Sequence, residues 1–181
     1  HLTGQLDDDK SPNELDILRS GTYNLGYVGL LQSEKTRTLV KWWQSKLYTE
    51  CVVDLERGLF VDQKWMDMVP GLFEGVYIQR HEGWNVAYWN LAHRDVQKTD
   101  DGYKVNGQGL VFFHFSGFNP DLKTLSKHQN RFTRDSAGPA VARLCADYAS
   151  DLDRFGAAEC RNLGYAFGSF SDGTPIPDQA R

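Results

Sequence analysis

Cysteine is scarce: the three present, Cys51, Cys145 and Cys160, are widely separated and odd in number. No C-x-x-C pair occurs, so neither a disulfide framework nor a zinc knuckle is indicated, and a reducing, cytoplasmic setting fits best. No apolar run approaches the ~18 residues that read as a membrane span. The first residues are polar and acidic rather than signal-like, so a membrane span is not expected. Positive charge is not gathered either. The net charge is -4 with no basic stripe, which argues against a nucleic-acid partner. A G-x-S-x-G elbow, a P-loop, a strand-borne G-x-G-x-x-G and an H-E-x-x-H helix are all missing. Readings as a triad hydrolase, a nucleotide triphosphatase or a zincin therefore lack support.

What remains is enough for about one domain. The 181 residues are 40% hydrophobic and 24% charged, ordinary proportions for a globular chain with a real core. Aromatic residues reach 13%, and such rings stack on sugar faces as well as filling cores. The chain opens on a polar stretch without an initiator Met and closes on Thr174-Pro175-Ile176-Pro177, like the first turn of a helix. It is expected to be an internal piece of a larger protein.

Alternating helical and strand patterns predict an α/β class, a mixed sheet with flanking helices. Residues 1–10, with Asp7-Asp8-Asp9, are expected to be mobile. Ser11, Pro12 and Glu14 fit a capping box opening a short helix that stops at Gly21. Residues 23–31 read as a buried strand. Ser33 caps a helix to about Cys51 whose stripe is Leu39, Val40, Trp43 and Leu47. Asp62 is placed to cap a helix that Pro70-Gly71 ends. Strands are expected at 76–79 and within 84–91. Asn106-Gly107 predicts a hairpin turn between 103–105 and 110–115. A helix over 136–155 carries Val141, Leu144, Cys145, Tyr148, Leu152 and Phe155 at a 3.6 period and ends at Gly156. Residues 1–135 would form one domain and 136–181 a helical extension.

Four constellations suggest chemistry. Phe112-Phe113-His114-Phe115-Ser116-Gly117 reads as a strand delivering an imidazole and a flexible turn to a surface, with Lys127 and Arg131 returning nearby. An imidazole able to bind a divalent ion, a glycine permitting close approach and a following cation suit a diphosphate. The Asp62-Gln63 pair sits where a strand hands over to a helix, a place from which side chains point into clefts. Asn24 within an apolar run needs either a backbone partner or a ligand, since a buried unpaired amide costs about 1–3 kcal/mol, and Gly26 beside it allows close approach. Trp84-Asn85-Val86-Ala87-Tyr88-Trp89-Asn90 alternates rings with amides and could present both to a sugar, or could be core.

In this order the segments resemble the second half of a GT-A fold nucleotide-sugar glycosyltransferase, of the retaining type that includes glycogenin and lipopolysaccharide galactosyltransferases. They are also similar to bacterial multi-domain glycosyltransferases. Tyr23-Asn24-Leu25-Gly26-Tyr27 looks like that family's F-N-[AS]-G-V strand, and Asp62-Gln63 like its Asp-Gln pair. Trp84-Asn85 is similar to its aromatic-Asn pair. His114-Phe115-Ser116-Gly117 with Lys127 looks like H-[FY]-x-G-x-x-K. The likeness covers residues 15–131.

That resemblance implies transfer of a sugar from a nucleoside-diphosphate donor to a glycan or other hydroxyl. His114 would be a ligand to Mn²⁺ or Mg²⁺, and Gly117, Lys127 and Arg131 would meet the diphosphate. Asp62 and Gln63 would lie beside the anomeric carbon, while Asn24, Gly26, Asn85, Tyr88 and Trp89 would shape the acceptor cleft. The loop before Lys127 is longer than the family's, which makes Lys123 a competitor. The family's nucleotide-binding half and its strand-borne D-x-D have no counterpart here. Asp7 and Asp9 satisfy that motif formally but lack the hydrophobic strand before it. The metal is therefore expected only with that missing half, and the piece alone is expected to be inactive. An incomplete sheet would favour dimerisation through an exposed edge. A glycan-binding module without transfer chemistry and a metal-independent transferase are the competing readings.

Overall fold

A computed structural model describes residues 6, 8–165 and 167–176. It divides into two compact units, residues 1–143 and 144–181, each taken by itself. Helices and short strands mix, in keeping with the broad α/β class. The strands form two small antiparallel sheets. No helix among the described residues is long and apolar enough to cross a membrane.

The first helix, α1 (Glu14–Ser20), starts two residues later than the capping pattern predicts. Its N-cap is Asn13, which accepts from the Asp16 amide while the Asp16 carboxylate accepts from the Asn13 amide, a complete reciprocal box. Ser11 is drawn elsewhere: its amide donates to Asn130 Oδ1 at 2.8 Å and its carbonyl accepts from the Asn130 amide at 3.1 Å. In the acidic stretch before it, Asp8 pairs with Arg131, while residues 1–5, over which mobility is expected, lie outside the described residues. Asp7 lies outside the described residues.

The second helix, α2 (Glu34–Glu50), forms as expected, with Ser33 Oγ accepting from the Thr36 amide at 3.2 Å. Its apolar stripe is not sunk into a core. None of its residues is buried, and Leu39, Trp43 and Leu47 are half-covered while Val40 is exposed. The expected strand over 23–31 does not form: no strand lies there, and Tyr27, Val28, Leu30 and Leu31 are exposed. An apolar sequence becomes a strand only against a neighbour, and none of the described residues pairs with this one. The expected strand at 76–79 is likewise unpaired.

Strands β1 (Val53–Asp54) and β2 (Leu59–Phe60) make a small hairpin that the sequence reading missed. A 3-10 turn, Lys64–Met68, then leads into α3 (Val69–Leu72). Pro70 sits in the first turn of α3 and opens it instead of ending a helix, as its missing N–H permits. Asp62 caps nothing; the residue before the 3-10 turn is Gln63, with no capping bond from its side chain.

Strands β3 (Val96–Thr99), β4 (Gly102–Val105) and β5 (Gln108–Gly109) form the second sheet. Asn106 and Gly107 turn the β4–β5 hairpin with φ of 49° and 82°, the double positive φ that favours Asn-Gly in two-residue turns. The partner strand is 108–109 and not 110–115. The latter run is half-buried except for the exposed Val111, and instead forms a parallel bridge between Val86 and Phe113. There the His114 amide donates to the Val86 carbonyl at 2.7 Å, and the Val86 amide to the Phe112 carbonyl at 3.2 Å. Val86, Ala87 and Trp89 beside this crossing are buried, as is Val105 in β4. Full burial of one such Val is worth about 1.5–3 kcal/mol.

The last long helix, α4 (Pro139–Arg154), buries Val141 and Cys145 of its expected stripe; Phe155 lies beyond it and is exposed. Gly156, at φ 77°, separates it from α5 (Ala157–Arg161).

Candidate functional site

The candidate site is built where four distant segments exchange side-chain hydrogen bonds. Its base is the C-terminal end of α1. The last carbonyls of a helix have no partner within it, and here two are taken by neighbouring side chains. Lys64 Nζ donates to the Leu18 carbonyl at 2.5 Å and Gln63 Nε2 to the Ser20 carbonyl at 2.8 Å. Asp67 ties the same region by accepting from the Thr22 amide at 2.7 Å and pairing with Lys64 at 2.9 Å. Gln63 is thereby fixed, with its Oε1 turned toward Asn24.

From there the chain of bonds runs outward. Asn24 Nδ2 donates to Gln63 Oε1 at 2.9 Å, and Asn24 Oδ1 accepts from both the Gly26 amide and Asn85 Nδ2, each at 2.9 Å. Asn85 Oδ1 lies 2.9 Å from His114 Nδ1. Gly26 is pressed against the far end: a Cβ there would stand 2.6 Å from both Asn85 Oδ1 and His114 Nδ1. Asn85 reaches its place with φ at 51°, a left-handed conformation that Asn tolerates better than most residues. The buried Asn90 holds that turn, donating to the Asn85 carbonyl and accepting from the Ala87 amide. Val61, just before the Asp62-Gln63 pair, has φ at 40°, a strained value for a β-branched side chain.

The rings of Trp89 and His114 meet edge to face at 5.0 Å, and Tyr88 packs on Trp89 at 4.9 Å. Burial pushes the His114 imidazole below its usual 6.5, so the neutral ring is favoured. Burial also raises the Tyr88 phenol, with a lesser push from Asp16. His114 Nε2 has no hydrogen-bond partner among the described residues and is not sealed from solvent.

Five sequence-predicted residues therefore converge: Asn24, Gly26, Gln63, Asn85 and His114. Tyr88 and Trp89 adjoin them. Asp62 is half-buried and engages through its backbone, its carbonyl accepting from Trp43 Nε1 at 3.2 Å; its carboxylate has no hydrogen-bond partner among the described residues. Gly117, at φ 62°, packs so closely that a Cβ would lie 2.4 Å from His128 Cδ2, and its carbonyl accepts from the Lys127 amide. The Lys127 side chain is exposed.

Arg131 corrects the sequence reading. Its guanidinium grips Asp8 through two bonds of 2.7 and 2.5 Å and donates to the Pro12 and Lys10 carbonyls. That side chain is 8% exposed and fastens residues 8–12, which leaves it no face for a phosphate. Sequence reasoning missed Ser20, Lys64 and Asp67, and gave Asn90, named within the 84–90 stretch, no positioning role. All four act through or upon backbone groups, which leave no trace in side-chain spacing.

The divalent ion implied by the resemblance finds one donor. His114 Nε2 suits a cation, but no group of three His, Cys, Asp or Glu converges among the described residues. The described donor set does not make an ion site, and no step below is routed through one.

Comparison with known proteins finds two similar chains in Bacillus subtilis (strain 168). The uncharacterized protein YfnD is 32% identical over 102 residues, covering 55% of this chain and 33% of that protein. The uncharacterized protein YfnF is 28% identical over 108 residues, covering 58% of this chain and 36% of that protein. No family model and no solved structure matches. The chain thus spans about a third of the length of the curated relatives it matches.

Proposed function

We propose that this chain forms the acceptor side of a glycosyltransferase that moves a sugar from a nucleoside diphosphate to a hydroxyl. The observation that carries the reading is the convergence of Asn24, Gly26, Gln63, Asn85 and His114, drawn from four separate segments, into one bonded cluster. In this reading the amides and the Tyr88 and Trp89 rings bind and orient the acceptor. The unpartnered Asp62 carboxylate stabilises positive charge as the bond from sugar to diphosphate breaks, and Lys127 neutralises the departing phosphate. Transfer needs further carboxylates and nucleotide contacts from outside this chain, so the chain alone binds weakly and turns over little or nothing.

Isothermal titration with UDP-glucose, UDP-galactose and GDP-mannose, with and without Mn²⁺, tests this. Saturable binding of one donor that is lost in His114→Ala is the expected result. No binding of any donor by folded protein, at concentrations where a glycan does bind, would refute transfer. It would favour a glycan-binding module instead. One observation speaks for that second reading: Tyr27 is 53% exposed and sits edge-on to Trp84 at 4.6 Å, a ring pair open to a sugar face.

A further inference from the structure

We infer that Gln63, Asn24 and Asn85 form a polarised relay that holds His114 as its Nδ1–H tautomer, presenting a bare Nε2 lone pair to the ligand. The inference stands on hydrogen-bond polarity and holds whether or not the transferase reading does.

The direction of every bond is fixed by two backbone anchors. The Ser20 carbonyl can only accept, so the group of Gln63 that faces it is the amide nitrogen, and Oε1 faces Asn24. The Gly26 amide can only donate, so the Asn24 atom it meets is the oxygen, and Nδ2 faces Gln63. The two anchors agree. Asn24 Oδ1 in turn requires a donor from Asn85, so Asn85 turns Nδ2 toward Asn24 and Oδ1 toward the imidazole. An amide oxygen has no proton to give. Nδ1 must therefore carry the hydrogen, and in the neutral ring Nε2 has none.

The opposite tautomer would set the Nδ1 lone pair against the Asn85 oxygen at 2.9 Å. Turning the Asn85 amide would give that lone pair a donor but set Asn85 Oδ1 against Asn24 Oδ1, which then loses its side-chain donor. Each alternative gives up a hydrogen bond, which biases the tautomers by about tenfold. Gly26 closes the arrangement, because only a residue without Cβ leaves the His114–Asn85 contact intact.

The consequence is chemical. A bare Nε2 accepts from a hydroxyl or coordinates a cation, and it has no hydrogen to offer an oxyanion. Gln63, Asn24 and Asn85 are positioning residues that act through His114, and the ligand class they select is a hydrogen-bond donor or a cation at Nε2.

Long-range proton–nitrogen NMR of uniformly labelled protein, above neutral pH, reads the tautomer directly, with His114→Gln identifying the signals. A pyrrole-type Nδ1 and a pyridine-type Nε2 are expected in the wild type. The reverse pattern would overturn the inference, and this spectrum decides it even if no variant folds. Asn85→Gly keeps the positive φ and removes the acceptor, so the population should swing about tenfold toward the Nε2–H form. Asn24→Ala frees the Asn85 amide and should shift the ratio in the same direction. An unchanged ratio in folded Asn24→Ala would overturn the relay beyond Asn85.

Discussion

Replacing Gly26 by Ala adds one methyl group at a crowded polar contact. The backbone there does not have the positive φ that makes a glycine obligatory, so Ala meets no conformational barrier of its own. In open surroundings such a change stabilises by about 0.4–1 kcal/mol through the unfolded chain. At Gly26 the new Cβ would stand 2.6 Å from Asn85 Oδ1 and from His114 Nδ1, and 3.0 Å from Asn24 Oδ1. Those atoms must part, which breaks the His114–Asn85 bond and strains Asn85–Asn24. Two hydrogen bonds at about 1 kcal/mol each, with part of the loss offset by the chain term, give a net destabilisation of about 1–2 kcal/mol. Urea denaturation measures it as a lower midpoint at unchanged slope. Gly71 is the contrast: nothing lies within 4 Å of its Cβ position, and it sits in α3, so Gly71→Ala should stabilise. If both substitutions shift the midpoint upward, the close packing of Gly26 against the amide–imidazole pair is refuted.

Two further outcomes follow from the same geometry. Burial alone depresses the His114 titration, so below the ordinary 6.5 the unfolded chain binds a proton that the folded chain does not. Stability is then full above that value, falls as pH drops toward the depressed folded value, and levels beyond it. The carboxylates held low, Asp8 and Asp172, act only below 3.8, in a separate window. His114→Gln should flatten the fall in urea midpoint on the acid side of neutrality, and parallel profiles for the two proteins would refute the assignment. Arg131→Ala should speed hydrogen exchange at the amides of residues 8–11 while leaving nucleotide-sugar binding unchanged; a loss of binding with normal exchange would return Arg131 to the site.

How much of this could be read beforehand depends on the range of the forces involved. α2 and the Asn106–Gly107 turn were legible because Ser33 and the Asn-Gly pair act on their own neighbours. The start of α1 was not, because two capping patterns overlap there, Ser11 with Glu14 and Asn13 with Asp16. The choice falls to Asn130, which engages Ser11 from 119 residues away. The site's amides stood out since a polar residue in an apolar run demands a partner, and Asn24 and Asn85 partner each other. Their order in the relay could not be foreseen: it depends on the Ser20 carbonyl and the Gly26 amide, and every residue carries those groups. Strand expectations over 23–31 and 76–79 failed for a related reason, since apolar content promises a sheet but cannot supply the neighbouring chain. Arg131 failed differently, because its charge is spent on Asp8.

That grip between Arg131 and Asp8 joins points 123 residues apart along the chain. Tension applied at both flanks of this stretch would pass across that guanidinium–carboxylate clasp and the Ser11–Asn130 bonds beside it, and most of the residues looped between would be shielded until these let go.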